Sequence, residues 1–188
     1  EQNAFVTRLP DGTTYRFHHM MKECAERAFR AMDKEKQTIY RDRYGKWYEE
    51  HKQYLHALDS YRKSGNFHGA LGVIQKDAGI LLASLKADDV LSFLSKCPED
   101  VLEAHPLSIL VLMRSMFNWR KIPEMLKLKD FLIQAIDRHT EISMEERGNL
   151  LGECDLITSF LMYNDISKMS HFHRSASRQM SRPAISIQ

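Results

Sequence analysis

An all-α protein headed by a short β-hairpin is what this sequence predicts, on three observations. Residues near the start alternate in a two-residue period around a Pro-Asp-Gly turn. From His18 onward the apolar residues change to helical spacing. Helix start signals then recur along the chain while strand signals all but vanish.

The hairpin runs from Phe5-Val6-Thr7-Arg8-Leu9 through Pro10-Asp11-Gly12 to Thr13-Thr14-Tyr15-Arg16-Phe17. It leads directly into a helix that places Met21, Ala25, Ala28, Phe29 and Met32 on one face. After the charged break Asp33-Lys34-Glu35-Lys36, a second helix carries Ile39, Tyr40, Tyr44, Trp47 and Tyr48. Further helices are expected over 53–63, 66–76, 79–85, 87–95, 98–104, 106–118, 123–138, 144–162 and 165–179. Pro98, Pro106 and Pro123 suit first turns, and Ser143-Met144-Glu145-Glu146 reads as a capping box. Leu128, Phe131, Leu132, Ala135 and Ile136 form a one-sided stripe, whereas 107–117 is apolar nearly all round and predicts a helix buried on several sides.

A weak internal repeat accompanies these helices. The segment 51–58, ending Tyr54-Leu55-His56-Ala57-Leu58, returns thirteen residues later as 64–71, ending Phe67-His68-Gly69-Ala70-Leu71. That step is shorter than the roughly 34 residues of a tetratricopeptide repeat. Stacked helix pairs of a tetratricopeptide-like α-α superhelix are the expectation, without a regular array.

Composition narrows the function classes. The chain has 188 residues, 43% of them hydrophobic and 28% charged, with a formal charge of +2. That balance suits a globular protein and gives no basic surface for nucleic acid, so direct nucleic-acid contact is not expected. The longest apolar run, 107–117, is interrupted by Ser108, Arg114 and Ser115 and is too short to span a bilayer, so no membrane partner is expected. Cys24, Cys97 and Cys154 are far apart and fit a reducing, cytoplasmic setting. With neither a leader at Glu1 nor a stop signal at Gln188, the sequence reads as an internal fragment.

Catalytic signatures are missing. There is no phosphate loop of the G-x-x-x-x-G-K-[ST] kind, no G-x-S-x-G elbow and no H-E-x-x-H, so no catalytic or metal-binding residue is assigned and the chain is not expected to be an enzyme by itself. His171-Phe172-His173, with Cys154 or Asp155, offers a metal alternative, but side chains two apart on a helix face different ways. Lys168, Arg174, Arg178 and Arg182 stand in a tail without acidic residues, and Tyr40, Tyr44, Trp47, Tyr48, Tyr54 and Tyr61 read as helix-packing aromatics. The pair His18-His19 differs, because it sits where a hairpin hands over to a helix N-terminus. There an imidazole can donate a hydrogen bond to a phosphate, and the alternative is a structural histidine satisfied within the fold.

Tyr15-Arg16-Phe17-His18-His19-Met20-Met21, followed by an amphipathic helix, resembles the Y-R-[FY]-H-H-L-[FL] signature of large ATP-dependent LuxR-type transcription regulators, the MalT group. Tyr44-Gly45-Lys46-Trp47-Tyr48-Glu49-Glu50-His51, the segments 54–58 and 65–71, and Pro98-Glu99-Asp100-Val101-Leu102-Glu103-Ala104-His105-Pro106 resemble that family's helical arm and the opening of its sensor superhelix. The resemblance implies three parts: 1–33 as the end of a winged-helix domain with its wing, 34–96 as the arm, and 97–188 as the start of the superhelix.

It also implies a nucleotide-binding domain upstream, a helix-turn-helix downstream, and an inducer or regulatory protein at the superhelix. ATP or ADP would be held by the longer protein, and no cofactor by this chain. In related signal-transduction ATPases the His of a Met-His-Asp motif lies near the ADP phosphates. His18 matches that His and so inherits a nucleotide-sensing role, while His19 replaces the Asp. Two other classes stand beside this one: a free-standing tetratricopeptide-like adaptor, and a metal-dependent enzyme using His171, His173 and Cys154.

Overall fold

The computed structural model describes residues 6–12 and 15–187. Strands β1 (Val6–Arg8) and β2 (Tyr15–Phe17) pair antiparallel with Val6 opposite Phe17 and Arg8 opposite Tyr15. Gly12, at φ +71°, turns the chain and donates its N–H to the Leu9 carbonyl at 3.0 Å. Phe5, Thr13 and Thr14 of the expected strands lie outside the described residues.

Ten α-helices follow among the described residues: α1 (His19–Ala31), α2 (Lys34–Glu50), α3 (Tyr54–Ser64), α4 (Phe67–Lys76), α5 (Ala87–Leu94), α6 (Glu99–Glu103), α7 (Pro106–Asn118), α8 (Ile122–Arg138), α9 (Met144–Ser159) and α10 (Ile166–Gln179). The fold is therefore helical with a small N-terminal hairpin, as expected. Caps explain the boundaries. Asp33, Asn66, Ser143 and Asp165 each accept a backbone N–H from the first turn of the helix they precede. Gly65, at φ +78°, ends α3.

The structure corrects the expected elements in three places. The segment expected as a helix over 79–85 is a 3-10 turn, Ile80–Ser84, because Gly79 leaves α4 in a left-handed conformation and the turn that follows is too short to relax into an α-helix. The helix expected to reach 162 changes to a 3-10 turn at Phe160–Met162. Only half of the capping box forms: Ser143 Oγ accepts from the Glu146 N–H at 3.1 Å, but the Glu146 carboxylate is drawn away to Arg182.

Helix α7 is the centre of the core. Ile109, Leu110, Val111, Leu112, Met113 and Met116 are all buried, as the all-round apolar pattern requires. Its two buried hydroxyls are satisfied: Ser108 donates to the Leu71 carbonyl at 2.8 Å and Ser115 to the Val111 carbonyl at 3.0 Å. Met125, Leu128, Leu132, Ala135 and Ile136 bury one face of α8, while Phe131 of the expected stripe is left half-buried. A single hydrophobic cluster runs from Ala57 in α3 to Ile157 in α9.

Helices α2, α3 and α4 lock together around Tyr61. A Cβ placed on Gly45 would lie 2.6 Å from the Tyr61 ring, and one on Gly69 would lie 2.9 Å from it, so two bare backbones hold the ring between them. Tyr61 donates its hydroxyl to Glu49 Oε2 at 2.7 Å, and Lys76 donates to Oε1 at 2.6 Å. Burial and the Glu49 carboxylate push the phenol above its ordinary range. Burial pushes the Glu49 carboxyl upward, but the bonds from Lys76 and Tyr61 outweigh it and hold the group below its usual value.

Candidate functional site

His18 is the N-cap of α1. Its backbone is extended, and its Nδ1 accepts the Met20 N–H at 3.4 Å. The first-turn amides of Met21 and Lys22 turn onto the His18 carbonyl at 2.9 and 3.2 Å. The N–H groups expected to receive a phosphate are thus partly used inside the turn. With Nδ1 accepting, the imidazole proton sits on Nε2, and the exposed ring can offer it outward. The His19 ring lies against that of His18, centroids 4.2 Å apart. No acidic residue occupies the first turn of α1, so its dipole is left uncompensated there.

What surrounds His18 is an uncovered apolar surface. No residue of α1 is buried, although Met21, Ala25, Ala28, Phe29 and Met32 line one face. Tyr15 and Phe17 of β2 are 56% and 62% exposed, and Met20 is 55% exposed. Along the groove between α1, α2 and α3, the Arg41 guanidinium lies 5.5 Å above the Phe29 ring, with Tyr44 and Tyr48 beside it.

The residues considered for a metal are placed apart. Cys154 is buried in α9, and burial raises its thiol pKa to about 11. The Ser159 hydroxyl faces His173 Nε2 at 3.2 Å while donating to the Leu156 carbonyl at 2.6 Å, so His173 Nε2 is the donor of that contact. Asp155 accepts from Gln179 at 3.1 Å, and His171 is exposed. Among the described residues no three His, Cys, Asp or Glu groups are gathered to hold a metal ion.

Several polar clusters were not legible in the sequence. Glu153, fully buried in α9, accepts from Arg182 Nη1 at 2.6 Å, from the Ser186 N–H at 2.8 Å and from the Ser186 hydroxyl at 2.6 Å. Arg182 reaches Glu146 as well, so one cation of the supposedly unbalanced tail is neutralised by α9. The segment 181–186, a strap that follows α10 and lies on α9, is also held by Asn149, which accepts the Ser181 N–H at 2.8 Å. A carboxylate between Leu150 and Ile157 on an otherwise core-facing helix was the available signal.

Two histidine contacts join distant segments. His68 Nδ1 on α4 lies 3.0 Å from His105 Nε2, the N-cap of α7. Burial and the neighbouring His68 lower the pKa of His105. His139 lies between Glu141, 2.7 Å from Nδ1, and Glu103, 3.3 Å from Nε2, and these carboxylates raise its pKa, Glu141 first. The signs oppose one another. Below the ordinary value of 6.5, the unfolded chain binds a proton that His105 resists, so this residue's share of stability is present above 6.5 and is lost as pH falls from there through its lowered folded value. His139 contributes fully below 6.5 and loses its contribution as pH rises through its raised folded value. A two-dimensional NMR titration is expected to place the His139 midpoint above 6.5 and that of His105 below it. Coincident midpoints would refute both contacts.

No helix among the described residues is long and apolar enough to cross a membrane. No family model, no curated protein and no solved structure matches the chain.

Proposed function

We propose that this chain is the regulatory segment of an ATP-dependent LuxR-type transcription regulator of the MalT kind. It relays nucleotide state and inducer binding to a DNA-binding domain elsewhere in a longer cytoplasmic protein. By itself it performs no catalysis. Residues 34–96 serve as the arm and 97–188 open a tetratricopeptide-like sensor superhelix, at which the inducer or a regulatory protein binds.

One observation carries the reading. The described residues from 6 to 32 contain no buried side chain and α2 buries only Gly45, whereas the helices from α3 onward supply a continuous core. An amphipathic helix with a bare apolar face is built to be covered by another folded unit. The N-terminal unit therefore suits the last piece of a nucleotide-controlled domain, with His18 at its exposed helix start.

The test uses the longer regulator and two substitutions. His18→Ala removes both the cap and the Nε2 donor. His18→Asn keeps an acceptor for the Met20 N–H but offers no imidazole. Both are expected to weaken ADP retention and raise inducer-free reporter expression. Unchanged ADP affinity and basal expression in both variants would end the nucleotide-sensing role of His18. A response of His18→Ala alone would reduce the residue to a cap.

A further inference from the structure

Between α5, α6 and the exposed side of α8 lies an open groove of about 500 Å3. Its walls are Leu91, Leu94, Leu102, Leu128 and Phe131, with Cys97 beside them. This is where the α8 stripe departs from its expected burial: Phe131 is on the stripe but meets open space. The volume falls within the roughly 300–1,000 Å3 typical of small-molecule sites, which pair apolar walls with a few polar groups.

The rim supplies the polar groups, and they are mainly acidic. Glu99 begins α6 and Glu124 stands in the first turn of α8, both lining the groove, with Lys127 as the counter-charge. None of the three has an ion-pair partner within 4.0 Å among the described residues, unlike Glu49, Glu103, Glu146 and Glu153, which are all paired. Asp100 adds negative charge beside Cys97 and, after burial, helps keep that thiol protonated. A protonated thiol packs as a small apolar group and does not act as a nucleophile. The groove therefore combines apolar walls with a net negative rim.

We infer that this groove binds a small molecule with an apolar body and a cationic, ammonium-type head. The body lies on Phe131, Leu94 and Leu128 while the head meets Glu99 and Glu124. This gives the inducer of the proposed regulator a chemical class and so rests on that reading, but binding is measured on the chain itself and does not depend on any transcriptional output.

Calorimetric titrations with phenylbutylamine, phenylbutanol and phenylbutyrate separate the two contributions. The amine is expected to bind about fivefold more tightly than the alcohol, the ratio one partly exposed ion pair supplies, with the carboxylate weakest. In a Cys24→Ser background at alkaline pH, where the Cys97 thiolate forms, the amine is expected to slow iodoacetamide labelling of Cys97. The double substitution Glu99→Lys and Glu124→Lys is expected to reverse the order of amine and carboxylate. Equal affinity of the three compounds, absence of binding, or binding that leaves Cys97 unprotected would each overturn the inference without any variant having to fold. Binding of a Leu- and Lys-rich peptide but not of the amine would overturn it too. If the amine binds as expected but leaves reporter expression by the longer regulator unchanged, the groove stands and its role as an inducer site falls.

Discussion

Glu153→Ala is expected to lower the stability of this chain by about 2–4 kcal/mol, because the buried Ser186 donors lose their acceptor while Arg182 keeps its pair with Glu146. The carboxylate is 0% exposed and answers three donors: Arg182, the Ser186 N–H and the Ser186 hydroxyl. Truncation leaves those donors facing a cavity, and they belong to a strap whose other anchors are few. Asn149 holds Ser181, and α9 meets the end of α10 at Gly148 and Gly152, where a Cβ would come within 2.5 Å of the Gln179 carbonyl and 2.3 Å of the Met180 side chain. Urea unfolding measures the loss, and hydrogen exchange at 181–187 locates it. Arg182→Met should cost at least as much, because it leaves a fully buried carboxylate with only the neutral Ser186 donors. A double-mutant cycle isolates their coupling. A Glu153→Ala loss below about 1 kcal/mol would mean that the strap contributes nothing to the fold.

Gly45→Ala is expected to cost about 1–3 kcal/mol through overpacking, far beyond the small gain that alanine brings to a helix interior. The added methyl meets the Tyr61 ring at 2.6 Å, and the ring cannot retreat because Gly69 closes its other side. Moving the ring also strains its hydroxyl bond to Glu49. Combining Gly45→Ala with Tyr61→Leu should give less than the sum of the two losses, since the smaller side chain removes the obstacle. Thermal melts of the four proteins test this directly. A stabilising Gly45→Ala would show that α2 and α3 do not approach as closely as described.

How much was legible differs between helix and site. Helices α7 and α8 follow from their apolar patterns, and α4, α9 and α10 start at Asn66, Ser143 and Asp165, because capping and periodicity are local and depend only on neighbours in sequence. Two segments expected as α-helix became 3-10 turns wholly or in part, at 80–84 and 160–162, because hydrogen bonding at a helix end responds to the packing that follows it. The position of His18 at a hairpin–helix junction was readable, but the use of its Nδ1 as a cap was not. Periodicity places a ring without saying which nitrogen will be occupied.

By itself the sequence determined the class of the molecule: a hairpin, a change of period at His18, and a succession of amphipathic helices with α7 in the middle. Tertiary structure alone decided which charges stay at an open surface and which are fastening. Arg182 looked like part of a basic tail and is bound to a buried Glu153, while Glu99 and Glu124 looked like ordinary helix-start acids and edge an open groove. The physical reason is distance along the chain. Arg182 and Glu153 are separated by 29 residues, and Leu94 and Phe131 come to line one groove only through the helices that lie between them in the chain. No local pattern encodes such meetings. Buried area, close backbone approach at glycine and the pairing of distant charges exist only once the helices have stacked.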